Sequence, residues 1–173
     1  MYLHIVDLAA TTAARIEEAS YPHAVILPNF PRGIKLDYQS CGVHCVLSIL
    51  RFYKKRVSFN RLERLLRTDE YGTAVSDINR VIKRFGLESR TIRKPSLRNL
   101  KNAIDEGYPV LISTWNDLHY EVVFGYSDSH IFVSNPSIDV TSDGVGRLSC
   151  AVPTREFRRA WDRWALEVRK TAR

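Results

Sequence analysis

Ser40-Cys41-Gly42-Val43-His44-Cys45-Val46-Leu47-Ser48-Ile49-Leu50-Arg51-Phe52-Tyr53 sets a cysteine at the head of an apolar helix. From Gly42 onward, Val43, Val46, Leu47, Leu50 and Tyr53 recur at the spacing of a stripe buried along one helix side. Lys54-Lys55-Arg56 follows and suits the negative end of the helix dipole. A cysteine at a helix start sits beside unsatisfied N–H groups and the positive dipole end, both of which favour an anion. That matters for a nucleophile, because a free thiol has a pKa of about 8.5. Gly42 is expected to let a substrate backbone approach, and the Cys41 N–H to donate to an oxyanion. Position alone fits equally an ordinary cysteine packed as a small hydrophobe.

Working outward, helices are expected after Ser58 (burying Phe59, Leu62, Leu65 and Leu66) and from Val75 to Phe85 with Gly86 as its stop. A further one should run from Ser96 to Gly107. The character then changes. Pro109–Trp115, His119–Tyr126 and Ile131–Ser134 are rich in β-branched and aromatic residues, and Ser127-Asp128-Ser129 reads as a hairpin turn. A final helix is expected after Thr154, with Phe157, Ala160, Trp161 and Trp164 on one stripe. Ahead of the cysteine, Tyr2–Leu8 and His23–Leu27 read as strands and Thr12–Ala19 as a small helix, before Pro28, Pro31 and Gly33 break the chain. Helices first and an antiparallel meander later is an α+β plan.

The 173 residues fit one domain spanning 1–173, with 45% hydrophobic and 26% charged residues. No apolar run approaches the roughly 18 residues of a membrane span, and the opening lacks the features of a signal peptide. A cytoplasmic location is expected. Three cysteines, an odd number without regular spacing, speak against a disulfide framework. Cys41 and Cys45 lack the second ligand pair of a zinc ribbon, so neither a metal nor another cofactor is expected. The formal charge of +7 admits an anionic partner, but Arg61, Arg64 and Arg67 lie opposite the leucines of their helix, as a solvated face does. Nucleic acid is the disfavoured partner.

A thiolate needs a base, and five histidines are available. His119 opens the strand His119-Tyr120-Glu121-Val122-Val123-Phe124-Gly125-Tyr126, where a rigid element would hold an imidazole. His130 falls in a turn, His44 sits on the cysteine's own helix with poor aim, and His4 and His23 lie in the N-terminal part. The residues favour His119 without excluding the others.

The stretch from Ser40 to Tyr53 resembles the nucleophile helix of the bacteriocin-processing peptidases. These are papain-like domains, often fused to export transporters, that cut leader peptides after a double glycine. Their pattern is Asp-Cys-Gly-x-Ala-Cys followed by an apolar helix ending in paired aromatics. The likeness continues in order through Gly72-Thr73-Ala74-Val75-Ser76, Phe85-Gly86-Leu87, Pro109-Val110-Leu111-Ile112, His119-Tyr120-Glu121-Val122-Val123, Ile131-Phe132-Val133-Ser134-Asn135-Pro136 and Glu156-Phe157-x-x-x-Trp161. It runs from Asp37 to Val168 and leaves residues 1–36 as an N-terminal extension that pairs with the sheet, covers the cleft or binds a partner. The resemblance implies a papain-like fold, the helical part with its nucleophile helix packed on a C-terminal antiparallel sheet. It implies Cys41 as nucleophile, His119 as base and Asn135 as the group that orients the base.

Two departures stand out. Asn135-Pro136 replaces the family's Asp-Pro; an amide oxygen still fixes a tautomer, as papain's asparagine does, but brings no charge. Asp139 lies outside the matching motif. The family's oxyanion-hole glutamine stands six residues before the nucleophile, where this chain has Lys35, while Gln39 is two before Cys41. Gln39 is six before Cys45, but Cys41-Gly42 carries the match and Cys45 lies a turn inside the helix, so Gln39 is assigned to the oxyanion of a Cys41 reaction. The expected function is thiol hydrolysis of peptides or protein tails, with small residues such as Gly at the cleavage site. The same triad would serve an acyltransferase, and the departures also suit a peptide-binding module without catalysis.

Overall fold

The computed structural model describes residues 20–21, 23–31, 40–116, 119–135, 139–140, 146–147 and 151–171. The expected elements at 2–8 and 12–19, together with Lys35 and Gln39, lie outside them. Among the described residues the helices are α1 (Cys41–Phe52), α2 (Phe59–Leu66), α3 (Val75–Arg84), α4 (Leu97–Asp105) and α5 (Thr154–Ala160). The strands are β1 (Val25–Ile26), β2 (Leu87–Arg93), β3 (Val110–Thr114), β4 (His119–Tyr126), β5 (His130–Ser134), β6 (Asp139–Val140), β7 (Gly146–Arg147), β8 (Ala151–Pro153) and β9 (Trp161–Lys170). Among the described residues no helix is long and apolar enough to cross a membrane.

Six strands run in the order β2-β9-β3-β4-β5-β8, every pair antiparallel, and β1 joins as a seventh against β4. β6 and β7 form a separate ribbon. β3 pairs with His119–Val123 of β4, and β1 continues beside it at Gly125 and Tyr126. Val25 and Ile26 thus extend the sheet, and the residues after them deliver Leu27 and Phe30 to the core, where Phe30 stacks on Phe124 at 5.3 Å.

Helix α1 does more than the one-sided stripe foretold. All residues from Cys41 to Leu50 are buried except the half-buried His44, because β4 lies against the helix on one side and α2 and α3 on others. Both ends are pinned. At the C-terminus, Lys54 takes a left-handed conformation (φ 59°). Its N–H donates to Arg51 O and that of Lys55 to Leu50 O, each at 2.8 Å, a Schellman closure with lysine where glycine is usual. The Tyr53 hydroxyl donates to Val168 O on β9 at 2.6 Å, and burial pushes its pKa above the ordinary phenol range.

At the N-terminus the contact is tighter. A Cβ added to Gly42 would lie 2.8 Å from both Thr73 Cβ and Thr73 Oγ1 and 3.3 Å from the Tyr120 ring. Gly42 is thus a packing requirement of the α1–Thr73 approach, and the expectation that it opens a path for substrate backbone is corrected. Thr73 is held by Thr68 (Oγ1···Oγ1 2.8 Å) and its carbonyl accepts from the Tyr120 hydroxyl at 3.2 Å.

Other boundaries follow local chemistry. Ser96 forms a capping box with Asn99 at the start of α4. Gly86 ends α3 with φ 69°. Arg61, Arg64 and Arg67 are exposed and Leu62 and Leu66 buried, as the spacing foretold. The last helix is the main correction. It stops at Ala160, and Trp161 and Trp164 belong to β9, a central strand paired with β2 on one edge and β3 on the other. Ala165, Leu166, Glu167 and Val168 are all buried, so β9 shows no alternation, and backbone pairing on both edges overrides a helix-like spacing.

Two substitutions test this packing. Leu50 is fully buried in the core, so Leu50→Ala should cost about 3 kcal/mol in urea unfolding, and a loss under about 1 kcal/mol would contradict a packed central helix. Gly42→Ala should cost about 1–3 kcal/mol through overpacking, although alanine is the better helix former; stabilisation would contradict the close approach of Thr73.

Candidate active site

Cys41 is the first residue of α1 and is 7% exposed. The helical hydrogen-bond ladder begins when His44 N–H donates to Ser40 O at 2.9 Å. The N–H groups of Cys41, Gly42 and Val43 therefore precede any carbonyl the helix can offer them, the arrangement that favours negative charge at a helix start. Ser40 gives α1 no side-chain cap.

The same end of α1 meets the start of β4. Tyr120 is the hinge of that meeting: its ring flanks Gly42, its hydroxyl reaches Thr73 O, and its carbonyl accepts from Cys45 Sγ at 3.2 Å. Cys45 is accordingly a buried thiol bonded to the sheet. In sequence His119 precedes Tyr120 and Cys41 precedes Gly42, so the two sequence-assigned residues each stand one position from this contact. Thr114, paired with His119 across the β3–β4 ladder, donates from Oγ1 to His119 O at 3.4 Å.

His119 Nε2 lies 2.8 Å from Asn135 Oδ1, the contact expected of an orienting amide. Asn135 follows β5 directly, and the pairing of Val122 with Ser134 sets it across from the strand start. With Nε2 donating to that oxygen, the role of proton acceptor toward a thiol falls to Nδ1. His44 and His130 have different company. His44 packs on Phe59 with ring centroids 4.9 Å apart, and His130 meets Tyr21 at 4.7 Å and Ser129 Oγ at 2.8 Å.

One residue of the cluster was not singled out from sequence. Glu121 is 6% exposed, its Oε1 accepts from Asn135 Nδ2 at 2.8 Å, and the same oxygen lies 3.9 Å from His119 Nε2. The available signal was its spacing: residues two apart on a strand share a face, so His119 and Glu121 had to point the same way. A charged residue between apolar neighbours on a buried strand is itself uncommon. Beside these three side chains is a cavity of about 690 Å³, also walled by Thr114, Trp115, Val152, Glu156 and Arg159. Trp115 is 62% exposed at its rim.

The arrangement offers a thiol at a helix start and an imidazole whose far nitrogen is fixed by an amide, which is the equipment of nucleophilic acyl chemistry. Over 105 residues the chain is 29% identical to the mesentericin-Y105 transport/processing ATP-binding protein MesD of Leuconostoc mesenteroides. The match covers 59% of this chain but only 14% of that protein's length. In three dimensions it superposes on the peptidase domain of Streptococcus ComA, a bifunctional ABC transporter of a quorum-sensing pathway, with a TM-score of 0.68 at 22% identity. That match covers 83% of this chain and all of the other. A double-glycine motif protease from an AMS/PCAT transporter, solved with its leader peptide, gives 0.67 at 20% identity, over 82% of this chain and 91% of that one. At these identities the structural likeness is one of fold. The family assignment comes from the sequence itself, which matches over residues 34–173: the chain belongs to the peptidase C39 family.

Proposed function

We propose that this chain is a cysteine peptidase that cleaves peptide bonds through a Cys41 thioester, with His119 as base and Asn135 as its orienter. The observation that carries the reading is the 2.8 Å contact of His119 Nε2 with Asn135 Oδ1. It leaves Nδ1 as the basic nitrogen, beside a junction whose other member is the helix headed by Cys41.

In the reaction, His119 Nδ1 takes the proton of the Cys41 thiol and the thiolate attacks the substrate carbonyl carbon. Negative charge builds on the carbonyl oxygen, where the Cys41 N–H donates to it, and Gln39 is assigned as the second donor. The imidazolium then protonates the departing amine and a thioester remains. Water, deprotonated by His119, hydrolyses the thioester and regenerates the thiol. The substrate is a peptide or protein tail with small residues such as glycine at the cleaved bond. Two things favour that class: the family membership, and the double-glycine specificity named for a protein of similar fold.

The test is digestion of synthetic peptides carrying a Gly-Gly bond, followed by mass spectrometry. Cys41→Ala should lower cleavage by about a thousandfold or more, and His119→Ala by a similar factor, because residues that act as one unit lose their effect together. Cys45→Ala, which removes a thiol that anchors the helix to Tyr120 O and not the proposed nucleophile, should lower cleavage far less than Cys41→Ala does. Cleavage that persists in Cys41→Ala would refute the assignment.

A further inference from the structure

Asn135 has an amide that is nearly symmetric in shape but opposite in chemistry at its two ends: the oxygen accepts and the NH2 donates. Whichever end faces His119 decides which imidazole nitrogen is protonated. With NH2 toward the ring, Nε2 would have to accept, the proton would sit on Nδ1, and the imidazole could not take a proton from a thiol there.

Glu121 removes that ambiguity. An ionised carboxylate has no proton to donate, so only the NH2 end of Asn135 can face it, as the 2.8 Å contact from Nδ2 to Glu121 Oε1 has it. Oδ1 must then turn to His119, and Nε2 must be the protonated nitrogen. The carboxylate also stands 3.9 Å from Nε2, with the side chains of Glu121 and His119 only 8% and 13% exposed, so its charge acts through little water. Among the described residues, the other charged side chains lining the adjoining cavity are Glu156 and Arg159, both from α5.

We infer that Glu121 is a positioning residue: its carboxylate orients the Asn135 amide, selects the Nε2–H tautomer of His119, and supplies through one intervening amide the negative charge that Asn135 lacks. The inference rests on the reading of Cys41 and His119 as a working pair. In the proton transfer nothing is consumed: the thiol proton moves to Nδ1, and Glu121 stabilises the resulting imidazolium without taking a proton.

The experiment is the rate of Cys41 alkylation by iodoacetamide in the 173-residue chain as a function of pH, with thermal melting by circular dichroism for each variant. Glu121→Gln keeps the side chain's shape and removes its charge, so the alkaline limb, where His119 loses its proton, should move down by about one pH unit. Glu121→Gln with Asn135→Asp returns a carboxylate to the ring nitrogen and should bring the limb back to within about 0.3 unit of wild type. A limb that stays put in Glu121→Gln, or a double variant no better than the single one, overturns the inference. A second arm needs no change at 121. In Asn135→Asp two carboxylates meet at hydrogen-bond distance and must share a proton, which raises their folded-state pKa. Stability should therefore fall more steeply than in wild type as pH rises from about 6 to 8; a slope no steeper than wild type's in Asn135→Asp also overturns it. His119→Ala separates the two levels. If it erases the alkaline limb while Glu121→Gln does not move it, only the role of Glu121 fails. If His119→Ala leaves the profile intact, the catalytic reading fails with it.

Discussion

Tyr120 is the contact on which the rest of the molecule turns. It fastens the head of α1 to the start of β4 three times over, through its ring against Gly42, its hydroxyl on Thr73 O and its carbonyl under Cys45 Sγ. Each bond is worth about 1 kcal/mol, a small fraction of what the buried helix contributes by area. Their value is geometric. A helix packed only through apolar side chains can slide by parts of a turn, whereas a helix whose first turn has no room for a Cβ and whose second cysteine is bonded to the sheet has one register. Tyr53 on Val168 O fixes the opposite end, so the direction of α1 and the height of Cys41 above the sheet are both set by the core. Thr73 belongs to this device.

The histidine side is built on different means. β4 carries His119 and Glu121 on one face by simple alternation, and the antiparallel return of β5 brings Asn135 opposite them. The result is a line of groups, carboxylate, amide and imidazole, in which each donor has its acceptor. A carboxylate placed directly on the imidazole would give a stronger interaction with the imidazolium. An amide between them spreads the same charge over a longer distance and keeps a neutral group in contact with the ring. In a pocket this buried, a neutral partner next to the base avoids much of the desolvation cost of a bare ion pair while the tautomer stays defined.

Much of this was legible in the sequence, for reasons particular to each residue. The core helix was legible because Val43, Val46, Leu47 and Leu50 repeat at helical spacing, and α2, α3 and α4 because polar starts and glycine stops bound their apolar stripes. His119 stood out at the opening of an apolar strand, and Asn135 only through the resemblance of Asn135-Pro136 to the family's Asp-Pro pair. β9 was not legible: buried on both faces, it has no period-two pattern, and Phe157, Ala160, Trp161 and Trp164 imitate a helix across a helix–strand junction. β2, its polar edge partner, gave no signal either, since Glu88, Arg90, Thr91 and Arg93 are exposed while its pairing supplies its stability. Glu121 was passed over because a single charge within an apolar strand has no meaning until the neighbouring strand places an amide beside it. Gly42 was read as an opening to substrate when its neighbour is Thr73, a contact between elements thirty residues apart that spacing does not reveal.

The account comes down to a coupling between one thiol and one imidazole. Its most direct test is nitrogen-15 NMR of the His119 ring across a pH titration, in the wild type and in Cys41→Ala. The account predicts that the neutral ring carries its proton on Nε2, and that His119 holds its second proton to higher pH in the wild type than in Cys41→Ala, because a thiolate beside the ring stabilises the imidazolium. A ring protonated on Nδ1 when neutral, or a titration identical in the two proteins, would contradict it.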